Sequence, residues 1–124
     1  MLNPLTRPAV RLASITHLDY LDRMRACFAA DSAGVLLLRG AEGEAVAHPR
    51  RALRIEHLGT GIAANASMAT EPFEDVALPD GTDAATTADW IAGAVAGRFP
   101  IPPAILAQVD ACVRAAHPVE EALT

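Results

Sequence analysis

Residues 51–66 read RALRIEHLGTGIAANA, and this stretch decides which class of fold the chain adopts. It joins an extended segment to the pattern Gly-x-Gly-x-x-Ala, the form of a dinucleotide-binding loop. In such a loop the glycines let the backbone approach a pyrophosphate, and the strand before it is central and apolar throughout. Residues 51–57 instead alternate in polarity and carry three charges and a histidine. The stretch therefore predicts a half-buried strand followed by a glycine-permitted loop, and not a nucleotide-binding fold.

The residues before this strand predict a helix and a hairpin. Apolar residues recur every three or four positions in 18–28 and predict a helix that runs to about residue 30. Residues 9–15 read either as a short strand or as the lead into that helix. Residues 35–38 form an apolar run of strand length, and 44–48 are expected to return as the second arm of a hairpin.

The second half of the chain predicts two further helices. Residues 59–72 read as a short helix or an ordered loop, and 73–78 as another strand. Asp83 offers an N-cap for a helix over 83–97, and Pro103 suits the first position of the last helix. One apolar stripe is expected on that last helix: Ile105, Leu106, Val109, Cys112 and Val113.

This order of elements predicts an α+β fold, a small antiparallel sheet covered by about three helices. A length of 124 residues is typical of a single domain. We expect an irregular N-terminal arm over 1–8, the domain over 9–118 and a C-terminal tail over 119–124.

Composition and charge exclude several classes of function. The net charge is −5, which argues against non-specific binding to nucleic acid. All ten basic residues are arginines, and half of the chain is apolar and rich in alanine, a bacterial-like composition typical of a GC-rich genome. We therefore expect no nucleic-acid partner.

The sequence also predicts a cytoplasmic protein without a membrane partner. Prolines and arginines stand at the N-terminus where a signal peptide needs an apolar core, and no apolar run is long enough to cross a bilayer. Cys27 and Cys112 are far apart, so we expect reduced thiols packed in the core, with no catalytic role. His48 and His57 are nine residues apart without a completing ligand, and no metal site is predicted.

Two groups of residues are candidate sites. The first is a ligand or anion site around the glycine loop, where backbone amides near Thr60 and Ile62 are helped by Arg54. Its members are Arg54, His57, Gly59, Thr60 and Gly61. The second is an interaction surface around the scarce large aromatics, formed by Trp90, Gly93 and Phe99.

Three segments together resemble a GAF domain. Residues 18–48, LDYLDRMRACFAADSAGVLLLRGAEGEAVAH, are similar to its opening helix, apolar strand, acidic-glycine turn and second strand. Residues 58–81, LGTGIAANASMATEPFEDVALPDG, are similar in cadence to its glycine-bearing middle segment. Residues 97–117, GRFPIPPAILAQVDACVRAAH, are similar to its closing helix. The chain departs from the family where 83–97 predicts a helix in place of a final hairpin.

The GAF resemblance implies a small-molecule sensing or dimerisation module with its pocket between sheet and helices, and it carries over no catalytic residue. We therefore expect a non-enzymatic ligand-binding or regulatory module that forms a homo-oligomer, such as a dimer, with an unknown cofactor status. The first alternative is a protein-interaction or adaptor subunit of a larger assembly. The second is a small enzyme with an anion site near Arg54 and Gly59.

Overall fold

The structure is a computed structural model that describes residues 8–60, 62 and 67–117. It confirms a single small α+β domain. The strands are β1 (Arg11–Ile15), β2 (Val35–Arg39), β3 (Arg54–Leu58) and β4 (Ser67–Ala69). The helices are α1 (Leu21–Phe28), which follows a 3-10 turn at Leu18–Tyr20, α2 (Ala84–Val95) and α3 (Pro103–Ala116). The predicted arm over 1–8 and tail over 119–124 lie almost wholly outside the described residues.

The sheet is mixed, and the expectation of a wholly antiparallel sheet is wrong at one pair. The strands lie in the order β1-β2-β3-β4, with β1 parallel to β2 and the other two pairs antiparallel. Helix α1 connects β1 to β2, and this crossover returns the chain to the end of the sheet from which β1 started. A helical crossover of this kind produces parallel neighbours.

The segment after β2 is not the predicted second arm of a hairpin. A tight loop closes at once through a single bridge between Ala41 and Glu44. It is possible because Glu42 and Gly43 adopt φ angles of 52° and 86°. Strand β2 pairs with β3 instead, with Val35 opposite Leu58.

The side chain of Gln108 takes the place of a strand beside residues 45–47. Its Oε1 accepts the amide of Ala47 at 2.7 Å, and its Nε2 donates to the carbonyl of Ala45 at 2.8 Å. Gln108 is 8% exposed, so both of its polar atoms need these partners. The side-chain amide of Gln108 therefore makes the two hydrogen bonds that a neighbouring strand would make in the predicted hairpin.

Two further predictions of secondary structure are wrong in part. Residues 59–72 were expected to be helix or loop, but Ser67–Ala69 pairs with β3 as the last strand. Residues 73–78 form no strand. Val76 is buried, and its carbonyl accepts a hydrogen bond from Arg50 at 3.3 Å. Both differences arise because β2 pairs with one edge of β3 and β4 pairs with the other. No edge of β3 is then left for residues 73–78.

The helix termini follow the local sequence. Asp83 caps α2, since its carboxylate accepts the Thr86 amide at 3.0 Å, and this hydrogen bond lowers the pKa of Asp83. Pro103 opens α3, and His117 ends it. Local capping chemistry was sufficient to predict the boundaries at Asp83 and Pro103.

Only part of the predicted apolar stripe of α3 packs on the sheet: Ile105 and Cys112 lie against the core, and the rest of the stripe does not. The residues buried on α3 are Ala104, Gln108 and Ala111. Alanine lets the helix backbone approach β2 and β3 closely, so the small residues face the sheet. Leu106, Val109 and Val113 remain 50%, 53% and 54% exposed.

An ion pair attaches α1 to the opposite face of the sheet. Arg25 on α1 donates from Nε and Nη2 to the two carboxylate oxygens of Glu56 on β3, at 2.7 and 2.6 Å. The Glu56 side chain is only 12% exposed, and the Arg25 guanidinium lowers its pKa. A two-pronged contact of this kind fixes the orientation of the helix as well as its distance.

Replacing Glu56→Gln should lower the free energy of unfolding by about 1–2 kcal/mol, because a charge-assisted contact is lost. The pKa of Glu56 in the fold lies below its usual 4.5. The stabilisation is therefore complete above pH 4.5 and is lost as the pH falls through the folded pKa. Urea unfolding at neutral and acid pH measures both effects.

Asp22→Asn is the matched control for this prediction. Asp22 also contacts Arg25, at 2.8 Å, but its side chain is 92% exposed, so its loss should change stability little. The Glu56→Gln variant should show a weaker loss of stability below pH 4.5 than the unsubstituted protein. Identical acid profiles for the two proteins would contradict the assignment.

Candidate functional site

The structure places the side chains of the predicted ligand site on both faces of β3. Arg54 and His57 lie three positions apart on β3 and therefore point to opposite faces of the sheet. The Arg54 side chain is 69% exposed and lies 3.8 Å from Glu56, on the α1 face. His57 lies on the α3 face, beside Leu36 and Ile55. The two side chains thus point to opposite faces of the sheet, although both residues contribute to the lining of a cavity around β3, together with Arg25, Glu56 and Ser67.

The glycine loop has a structural explanation. The Thr60 amide donates to the Asp31 carbonyl at 3.0 Å, and the Ile62 amide to the Gly59 carbonyl at 3.4 Å. Gly59 has a φ of 143°, and a Cβ there would lie 2.8 Å from the Asp31 oxygen. The amides proposed for an anion are engaged within the protein, and Gly59 is required by its close approach to the turn before β2. Gly61 lies outside the described residues.

His57 does line a cavity between the sheet and α3. The cavity has a volume of about 380 Å³, and Met68 and Arg114 lie on its other sides. Burial lowers the pKa of His57, which favours its neutral form. A neutral imidazole can donate one hydrogen bond and accept another.

The second predicted group does come together. The rings of Trp90 and Phe99 are parallel within 3°, with centroids 6.4 Å apart. Gly93 lies beneath this pair, since a Cβ built on it would be 2.4 Å from a carbon of the Phe99 ring. The absence of a side chain at Gly93 therefore permits the close approach of the Phe99 ring.

The end of α2 brings Phe99 back across Gly93. Gly97 has a φ of 75°. The Arg98 amide donates to the Gly93 carbonyl at 2.8 Å, and the Gly97 amide to the Ala94 carbonyl at 3.0 Å. This pattern is the Schellman motif, which reverses the chain after a helix. The aromatic pair is therefore fixed by backbone geometry at the helix terminus.

An apolar groove lies beside the aromatic pair, between α2, the start of α3 and the loop after β2. Its volume is about 360 Å³, and almost all of its accessible lining is carbon. Trp90, Ile91 and Val95 form the α2 wall, Ile105 forms the α3 wall, and Val46 comes from the loop. Val95 is 80% exposed. The groove has no polar groups with which to orient a small polar ligand.

A ridge continues from the groove along α3. Val109 follows Ile105 by one turn, and Leu106 and Val113 lie beside it on the same helix. We call the groove and the ridge together the α2–α3 surface; its exposed members are Val46, Ile91, Val95, Leu106, Val109 and Val113. The ridge residues Leu106, Val109 and Val113 belong to the predicted apolar stripe of α3, but their exposure does not follow from that pattern. The alanines on the other side of α3 are the sequence signal that could have identified these residues as exposed.

Charged and nucleophilic groups lie outside the α2–α3 surface. Asp110 and Arg114 pair with each other on α3 at 2.6 Å. Cys27 is exposed on α1, so its expected burial is wrong, whereas Cys112 is half-buried and burial raises its pKa. Across residues 8–60, 62 and 67–117, no three His, Cys, Asp or Glu side chains are grouped to hold a metal ion.

Comparison with known proteins gives one relative of unassigned activity. No family model matches the chain. The chain is similar to the "Uncharacterized protein YbiB" of Escherichia coli strain K12, with 32% identity over 105 residues. The match covers 85% of this chain and 33% of the relative. The chain therefore spans about one third of the length of the relative that it matches.

The length and apolarity of the helices can be compared with those of a membrane-spanning helix. None in the described part of the chain is both long and apolar enough to cross a bilayer. The apolar residues of the α2–α3 surface are spread over two short helices and a loop.

Gly93→Ala should displace the Phe99 ring from Trp90. Phe99 is 44% exposed, so its ring can turn into solvent. Losing the ring contact costs about 1 kcal/mol, and the gain in helix propensity offsets about the same amount. The net change in stability should be small, and the fluorescence of the single tryptophan should report the displacement.

The Phe99→Ala background provides the control for this prediction. There the added methyl group meets no ring, so Gly93→Ala should raise the free energy of unfolding by about 1 kcal/mol. An equal effect of Gly93→Ala in both backgrounds would show that Gly93 and Phe99 are not coupled.

Proposed function

We propose that this protein is a non-enzymatic interaction module that binds a protein partner through the α2–α3 surface. The observation that supports the proposal is the exposure of Leu106, Val109 and Val113 on a helix whose other side already packs on the sheet. Contiguous apolar patches of several hundred Å² are uncommon on monomers and mark interaction sites.

The shape and chemistry of the surface favour a protein partner over a small polar ligand. The groove is open, its lining is carbon, and the ridge beside it projects aliphatic side chains. Aliphatic side chains of a partner would fill the groove, and Trp90 at its border supplies the kind of aromatic anchor that dominates binding energy in interfaces. This function corresponds to the adaptor alternative predicted from the sequence. The proposed surface is larger than the predicted one, because it extends from Trp90 and Phe99 to α3.

Site-specific photocrosslinking tests the proposal in the cells that make the protein. A benzophenone side chain at Leu106 should form a discrete covalent adduct with a partner, because Leu106 lies on the ridge. The same group at Leu18 is the matched control, since the two leucines are 50% and 56% exposed and Leu18 precedes α1. Gel mobility and mass spectrometry identify the adducts.

The adduct at Leu106 should disappear when Val109→Asp is added, because a carboxylate on the ridge would have to be desolvated in the interface. An adduct that forms equally from Leu18, or one that survives Val109→Asp, would contradict the proposal.

A second candidate function is the GAF-like ligand module, and it remains a prediction. What supports it is the cavity of about 380 Å³ that His57 and Arg114 line between β3, β4 and α3. A small apolar molecule with one polar group fits this lining, because Leu36, Ile55 and Met68 supply carbon and His57 supplies a hydrogen bond.

Native mass spectrometry of the purified protein tests the ligand module. We expect a native mass above the denatured mass, and we expect the excess to be lost in His57→Ala. Arg54→Ala should retain the excess, because Arg54 lies on the other face of the sheet. A bare chain, or a ligand lost equally from both variants, would contradict a site at His57.

A further inference from the structure

We propose that the partner on the α2–α3 surface is a second copy of this chain, related to the first by a two-fold axis. This inference rests on the proposed function, since it names the occupant of the same surface. It is carried by three features of the described residues: the shape of the surface, its area and its charge.

The shape of the surface is self-complementary. A two-fold interface uses the same patch on both subunits, so the patch must contain both the projecting and the receiving parts. Here one copy presents a ridge at Val109 and Val113 and a groove bordered by Val95 and Ile105. Ile105 precedes Val109 by one helical turn, so ridge and groove are adjacent. A two-fold rotation can place each ridge in the groove of the other copy.

The exposed area matches what a stable dimer buries. The exposed members of the surface are between 47% and 80% accessible. Together these six side chains expose apolar area on the order of 600 Å², at the upper end of the largest patches found on monomers. A standard interface buries about 800 Å² on each partner, and about 65% of a homodimer interface is apolar. The surface thus supplies the apolar part of one interface.

The charge of the surface is compatible with an identical partner. All six exposed members are uncharged although the chain carries a net charge of −5. Beside them, Asp110 and Arg114 neutralise each other. Two copies can therefore meet without placing like charges in the contact, and no oppositely charged partner is needed to compensate the surface.

Sedimentation equilibrium of the whole chain, over micromolar to submillimolar concentrations, tests the dimer. We expect a species of twice 13.0 kDa that dissociates on dilution. Val109→Asp on the ridge and Val95→Asp at the groove should each raise the dimer dissociation constant at least about tenfold, as expected for central interface positions. Leu18→Asp is the matched control and should dimerise like the unsubstituted chain.

Thermal unfolding followed by circular dichroism distinguishes a weakened dimer from a misfolded chain. Because the substituted positions are exposed, each variant should unfold at a temperature close to that of the control. A chain that stays monomeric at every concentration would overturn the dimer, and so would a dimer that neither ridge nor groove variant weakens. The failure of the dimer and that of the proposed function are distinguishable by the adduct at Leu106. An adduct with a different polypeptide would retain the interaction surface and reject the second copy.

Discussion

The close approach of α3 to the sheet is the constraint on which the rest of the structure depends. Ala104 and Ala111 are almost fully buried against Leu36, Leu38 and Ile55. Small side chains at these positions bring the helix backbone near the strands, so that Gln108 can reach the loop after β2. Its paired hydrogen bonds to Ala45 and Ala47 hold that loop against α3 without a strand partner. A larger residue at Ala104, which has no exposed surface, would push the helix away and break both contacts.

The same constraint creates the α2–α3 surface. A helix that packs through alanine leaves its larger aliphatic residues on the remaining faces. On α3 these residues form a ridge, and the Schellman turn after α2 brings the second helix to its side. Burying apolar area is the main favourable term in association as in folding. The ridge does not contribute this free energy while it stays in water. A partner that covers the ridge would gain it, and this gain is the physical basis for the proposed partner.

The glycine-rich loop illustrates how one sequence pattern is compatible with different structural causes. Gly59 is consistent with a phosphate-binding turn when read locally, but the structure shows it against the Asp31 carbonyl and the backbone of Gly34. The Asp31 carbonyl accepts the Thr60 amide, and its carboxylate accepts the Ala33 amide and contacts Arg11. Asp31 therefore connects three segments, and the glycine permits that connection.

The sequence by itself determined the local features of this protein. The cap at Asp83, the start of α3 at Pro103 and the alternation of β3 follow from interactions within a few residues, so they could be predicted. The proximity of Trp90, Gly93 and Phe99 was also predictable, because one helix turn and one glycine-based terminus bring them together. The tertiary structure decided which face of α3 is buried and which strand pairs with β2. It also decided that Arg54 and His57 point to opposite faces of the sheet. These outcomes depend on which distant segments compete for the same sheet edge and the same helix face. Apolar periodicity gives the presence of a face, but only packing decides whether that face meets the sheet or a partner.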